Sequence, residues 1–84
     1  MPTAQFEKDL RKIGQSNAVE VLRWISKHLE HSEDPRQHGK PLKYALKQYW
    51  RYRVGDFCLL TEIQDEHLIL TLVTVAHRRH IYRN

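Results

Sequence analysis

The run Leu68-Ile69-Leu70-Thr71-Leu72-Val73-Thr74-Val75-Ala76 constrains this chain more than any other feature. It is apolar on both parities and rich in β-branched residues, so a strand made from it has to be covered on both faces. A membrane span needs about 20 apolar residues, and this run falls far short of that. It therefore predicts the central strand of a small sheet. With 84 residues in all, residues 1–84 form one domain around one core.

The segments before it supply partners for that strand. From Trp50 the parity alternates, with Trp50, Tyr52 and Val54 on one side and Arg51 and Arg53 on the other. Gly55-Asp56 is a turn, Phe57 to Ile63 a second strand, and Gln64-Asp65-Glu66 the next turn. Short connections between three such segments predict an antiparallel meander. Further upstream the period changes to that of helices. Phe6, Leu10 and Ile13 mark one helix face, with Gly14 at its left-handed C-terminal cap. Ser16 or Asn17 caps a second helix whose apolar face is Ala18, Val21, Leu22, Ile25 and Leu29. His28 and His31 fall in its last turn, Asp34-Pro35 ends it, and Gly39 and Pro41 mark a loop. The predicted fold class is α+β, an N-terminal helical hairpin packed on a small twisted antiparallel sheet.

Charge is distributed unevenly along this frame. Residues 1–35 hold five Lys/Arg against six Asp/Glu, whereas residues 36–84 hold nine against four. Between Arg36 and Arg53 there are six cations and no acid, interleaved with Tyr44, Tyr49, Trp50 and Tyr52. A second basic group, His77, Arg78, Arg79, His80 and Arg83, closes the chain. Two basic groups with aromatics between them suit a polyanionic partner, although an acidic protein is served by the same surface. The single cysteine, Cys58, excludes an internal disulfide and fits a reducing compartment. No charged-then-apolar leader opens the chain, so a cytoplasmic domain without membrane association is expected. His28/His31 and His77/His80 share an i, i+3 spacing, but no cysteine pair or carboxylate is patterned with them, and no metal or cofactor is expected.

The residues also carry a resemblance. Tyr49-Trp50-Arg51-Tyr52-Arg53-Val54-Gly55-Asp56-Phe57 resembles the strand–turn–strand signature of the RelE/ParE superfamily of bacterial toxins, in particular its RelE/StbE-like members. Ala76-His77-Arg78-Arg79-His80-Ile81-Tyr82 is similar to the closing signature, and Asp34-Pro35-Arg36, Gly39-Lys40 and Leu42 to the linker between helix and sheet. The resemblance implies a RelE-like fold and the toxin of a type II toxin–antitoxin module. It further implies an mRNA endonuclease, needing no metal, that acts in the ribosomal A site and is neutralised by a small antitoxin with an acidic segment. Operator DNA would be reached only through that antitoxin. By position, Arg51, Arg53, Arg78 and Tyr82 correspond to the family's active site. Cys58 stands where an arginine is usual, Ala76 replaces a glycine, His80 replaces a glutamate, and the family's first strand is short or lost.

RNA cleavage by attack of a 2′-hydroxyl on the adjacent phosphate needs a base, an acid and cations around the pentacoordinate phosphorus. Arginine forks match phosphate oxygens but are poor bases. Histidine carries protons near neutrality. Arg51, Arg53 and Arg78 are accordingly assigned to phosphate, His77 to proton transfer with His80 as the weaker choice, and Tyr82 to stacking or proton placement. Lys40, Lys43, Lys47, Arg79 and His80 would extend the RNA-binding surface. Cys58, beside Leu60, reads as a small packed thiol. Two other functions stay open: inhibition of DNA gyrase as in ParE-like members, and an antitoxin-binding co-repressor module with impaired catalysis.

Overall fold

The computed structural model describes residues 2–30, 34–42, 48–64 and 69–80, without the side chains of Ile69 and His80. Helix α1 spans Ala4–Lys12 and α2 spans Gln15–Ile25, the latter widening into one π-helical turn at Ser26–Glu30. Thr3 starts α1 in two ways. Its Oγ1 accepts from the Phe6 N–H at 3.1 Å and donates to the Val73 carbonyl at 2.9 Å, so the cap also ties the helix to the sheet. Gly14 has the positive φ expected of it, 93°, but α2 begins on the next residue. Ser16 and Asn17 therefore lie inside α2 and do not cap it. The Asn17 amide instead donates to the Ile13 carbonyl at 2.9 Å, closing the corner between the helices. Phe6, Val21, Ile25 and Leu29 are buried as their period predicts, whereas Leu22 lies at the edge of the stripe and is 46% exposed.

The sheet has four antiparallel strands in the order β1 (Lys40–Pro41), β2 (Tyr49–Val54), β3 (Phe57–Gln64) and β4 (Ile69–His77). The meander is as predicted, with two corrections. Lys40–Pro41 is a short edge strand and not loop, which proline tolerates at an edge because it owes the ladder no N–H. The apolar run forms the opposite end of the strand order and not its centre. What covers it is the N-terminus: α1 packs on it, Pro2 makes a single parallel bridge to Leu72, and the Thr3 N–H donates to the Leu72 carbonyl at 3.0 Å.

The double-parity apolarity of β4 has a different cause from the one its sequence suggests. Leu60 lies opposite Thr74 but Thr61 lies opposite Leu72, so Val73 is an extra residue in a β-bulge. Before the bulge Leu70 and Leu72 share the face of Ile63 and Thr61. After it Val75 and His77 share the face of Leu59 and Phe57. One face of the strand thus draws on both parities.

That inner face holds the core of Phe6, Val21, Ile25, Leu29, Tyr52, Val54, Phe57, Leu59, Leu72 and Val75. Burying such side chains contributes about 1.5–3 kcal/mol each. Tyr52 is fully buried and its hydroxyl donates to the Pro35 carbonyl at 2.7 Å. The Trp50 indole N–H donates to the Arg36 carbonyl at 3.2 Å, and the Arg36 guanidinium lies 5.6 Å from the Trp50 ring centre. Together these contacts pin the 3₁₀ turn Pro35–His38 to the edge of the sheet.

Candidate active site

The outer face of β2 carries Arg51 and Arg53, which alternate with Trp50, Tyr52 and Val54. Side chains two apart on a strand stand roughly 7 Å from each other. Cross-strand pairing sets their neighbours: Lys40 opposite Arg51 on one side, Leu60 opposite Arg51 and Cys58 opposite Arg53 on the other. Arg78 arrives from the far end of β4. Its backbone N–H donates to the Asp56 carbonyl at 2.9 Å, which draws the 3₁₀ turn Arg78–His80 against the β2–β3 hairpin. The hairpin itself needs Gly55, whose φ of 59° is left-handed.

These residues line a cleft of about 370 Å³ together with His38 and Gly39. Gly39 is required by space. A Cβ there would lie 2.5 Å from the Arg51 carbonyl oxygen and 2.8 Å from the rings of Trp50 and Tyr52. This close approach carries His38 and Lys40, on either side of it, to the mouth of the cleft. No Asp or Glu is among the described residues lining it. Lys40 and Arg51 are like charges placed directly opposite, a pairing that costs stability in a sheet. Further along the same face Glu62 pairs with Tyr49, and its hydrogen bond and charge raise the Tyr49 hydroxyl above its ordinary value of 10.

The structure thus gathers Arg51, Arg53, Arg78 and Lys40, four of the residues singled out in the sequence. Cys58 is half-buried in their midst, lining the cleft, where the sequence suggested a packed thiol. His77 is a correction. It lies opposite Phe57, and the two rings meet edge to face at 5.4 Å on the helix-packed side of the sheet. There it lines a separate cavity with Asp9, Lys12 and Asn17, and its Nδ1 accepts from the Arg79 N–H at 3.2 Å. Ala76, one residue earlier, is the one that pairs with Cys58; a single step along a strand reverses the face. Arg79 is exposed and outside the cleft lining. Lys43, Lys47 and Tyr82 lie outside the described residues, as does the side chain of His80.

His38 is the cleft residue that sequence reading passed over. Its ring is 5.0 Å from that of His28 and 6.5 Å from that of Trp24, which in turn lies 5.5 Å from Tyr52. The run Gln37-His38-Gly39-Lys40 carries no local periodicity, and only the pairing of β1 with β2 brings it beside the arginines.

Solved structures share this architecture. The toxin–antitoxin complex RelBE2 from Mycobacterium tuberculosis matches with a TM-score of 0.76 at 30% identity, covering 92% of this chain and 86% of that one. The RelB–RelE antitoxin–toxin complex from Methanococcus jannaschii matches at 0.71 with 23% identity over 98% and 94%, a likeness of fold alone. The helical hairpin on a four-stranded antiparallel meander is the α+β fold of the small RelE-like toxins. More particularly, the model of the family described as ParE toxin of the type II toxin–antitoxin system, parDE, matches residues 1–82, and the chain belongs to that family of toxins. Toxin RelG of Mycobacterium tuberculosis is 33% identical over 81 residues, which are 96% of this chain and 91% of RelG. Among the described residues no helix is long and apolar enough to cross a membrane.

Proposed function

We propose that this toxin is an endoribonuclease that cleaves mRNA in the ribosomal A site and so stops translation. The observation that carries this reading is the pairing of Lys40 with Arg51, joined by Arg53 and Arg78 in one cleft with no acid among its described lining residues. Proteins keep such like-charge neighbours where a ligand supplies the missing anion, and the planar arginine forks match phosphate oxygens bidentately. In the reaction the 2′-oxygen attacks phosphorus in line, the bond to the 5′-oxygen breaks, and a 2′,3′-cyclic phosphate and a 5′-hydroxyl are left. Arg51, Arg53 and Arg78 stabilise the extra negative charge on the pentacoordinate phosphate, and Lys40 holds the flanking backbone. The work is cytoplasmic, because its substrate is mRNA on a translating ribosome.

The resting cell needs this cleft closed. A cognate antitoxin does so by folding an acidic segment on the toxin, as the toxin–antitoxin complex of the relative at 30% identity supports. Operator DNA is reached only through that partner. Apolar burial supplies most of the affinity and charge steers the encounter, so raising salt slows association far more than it speeds dissociation.

A second reading has its own support. The matching family model is described for ParE, and the thiol of Cys58 occupies a cationic slot, both of which favour a toxin that inhibits DNA gyrase. Primer extension on mRNA from cells expressing the chain separates the readings. Cuts confined to translated frames are the expected result; loss of supercoiling with intact mRNA would make the toxin a gyrase inhibitor, and neither effect would leave an antitoxin-binding co-repressor.

A further inference from the structure

Arginine binds the reacting phosphate but cannot accept a proton from a 2′-hydroxyl at neutral pH, and Lys40, the lysine of the cleft, is solvent-exposed and serves it as a cation. The cleft therefore needs a base. His77, the histidine that the sequence points to, is turned to the helix-packed side and engaged with Phe57 and the Arg79 N–H. Among the described residues, His38 is the histidine found in the lining of the cleft with Lys40, Arg51, Arg53 and Arg78.

Its placement is built and not incidental. The turn that bears it is fastened by the hydrogen bonds from Tyr52 to Pro35 and from Trp50 to Arg36. The next residue, Gly39, packs against the Arg51 backbone so tightly that no side chain fits. On its other side the ring leans on His28, which sits in the π-helical turn and stacks on Trp24 at 4.8 Å. His38 thus straddles the seam between the two faces, its ring supported from the helix side while it lines the cleft. Imidazole is the side chain whose ordinary titration range suits general-base work near pH 7. The charged and titratable groups around it are His28, in ring contact from α2's extension, Lys40, Arg51, Arg53, Arg78 and Cys58, which share the cleft lining, and Asp34 and Arg36 of its own turn.

We propose that His38 is the base of the cleft, taking the 2′-hydroxyl proton of an RNA whose scissile phosphate sits among Arg51, Arg53 and Arg78, with Lys40 on the flanking backbone. The proposal rests on the nuclease reading. The proton moves from the 2′-oxygen to an imidazole nitrogen as the oxygen–phosphorus bond forms. The departing 5′-oxygen takes a proton from water as its bond to phosphorus breaks, and the imidazolium returns its own to solvent. His28 is a positioning residue that limits the freedom of the ring.

The test is single-turnover cleavage of mRNA on programmed ribosomes from pH 5 to 9, using the full chain and its His38→Gln, His38→Ala and His77→Gln variants. His38→Gln is expected to slow cleavage by about 10²–10⁴ at pH 7 and to abolish the rise in rate between about pH 5 and 7. Added imidazole restores part of the rate to His38→Ala, whereas His77→Gln keeps the pH profile of the parent. A structural role for His38 would lower the rate without changing that profile and without imidazole rescue, and this outcome overturns the proposal. So does a His38→Gln variant as fast as the parent, which leaves the nuclease reading standing. Absence of cleavage by the parent chain at every pH overturns both.

Discussion

The two faces of strand β2 are one residue apart and do opposite things. Inward, Tyr52 and Val54 are buried in a core that any hydrophobic residues of suitable shape would stabilise. Outward, Arg51 and Arg53 stand with Lys40 and Arg78 along one cleft, and the like charges Lys40 and Arg51 sit directly opposite, a pairing that costs a sheet stability. The inner face explains why the chain folds. The outer face is accounted for, on the nuclease reading, by the phosphate it would bind. The seam between them, where Gly39 touches Arg51, Trp50 and Tyr52, is where fold and chemistry share residues.

This contrast is broken most directly from the inside. Leu59 is fully buried between the strands and helices. Leu59→Ala is expected to cost about 2–5 kcal/mol in urea unfolding, a large part of a small domain's stability. On the outer face Arg51→Ala should leave the unfolding midpoint within about 0.5 kcal/mol while lowering cleavage by about 10²–10³. Equal losses of stability in the two variants would mean that the faces are not separable.

Cys58 sharpens the comparison, since it holds an outer-face position with a side chain suited to the inner one. Cys58→Arg adds a cation to the cleft, and cleavage on programmed ribosomes should rise by up to about 10². The same change sets arginine opposite Arg53, so unfolding should show a loss of about 0.2–1 kcal/mol. An unchanged or lower rate would mean that another residue already supplies the charge.

At the seam the effect is on stability alone and depends on pH. Burial pushes the Tyr52 hydroxyl up to about 12, with the nearby Asp34 adding to the shift and Thr61 and Arg36 opposing it. A folded value above the unfolded one near 10 means that the folded state holds its proton longer. The contribution of Tyr52 is therefore whole below about pH 10 and is lost as pH rises from there towards 12, with a slope of at most about 1.4 kcal/mol per pH unit. Tyr52→Phe should remove that slope from alkaline unfolding curves. It should also cost about 1–3 kcal/mol at neutral pH, because the Pro35 carbonyl loses its donor.

Much of this was legible in the sequence. The alternation from Trp50 to Val54, the Gly55-Asp56 turn and the helical stripe of Phe6, Val21, Ile25 and Leu29 are patterns among near neighbours. Neighbours along a chain fix which side a residue takes within its own element. The same patterns put Arg51 and Arg53 together on one face, and the resemblance added Arg78. Where reading failed, the cause was long-range. Nothing local in β4 reveals that Val73 is a bulge, so the run looked like a strand covered on both sides. The same shift in parity decides that His77 joins Phe57 and not the arginines.

By itself the sequence determined the elements, their apolar faces, the antiparallel meander and the basic character of one strand face, because each of these depends on periodicity and turn chemistry. The tertiary structure alone decided which strand lies at an edge, where Lys40–Pro41 pairs, and which histidine reaches the cleft. Those outcomes depend on contacts between segments far apart in sequence. The hydrogen bonds of Tyr52 and Trp50 to the Pro35–His38 turn, and the absence of a side chain at Gly39, set them in ångströms that no spacing of residues encodes.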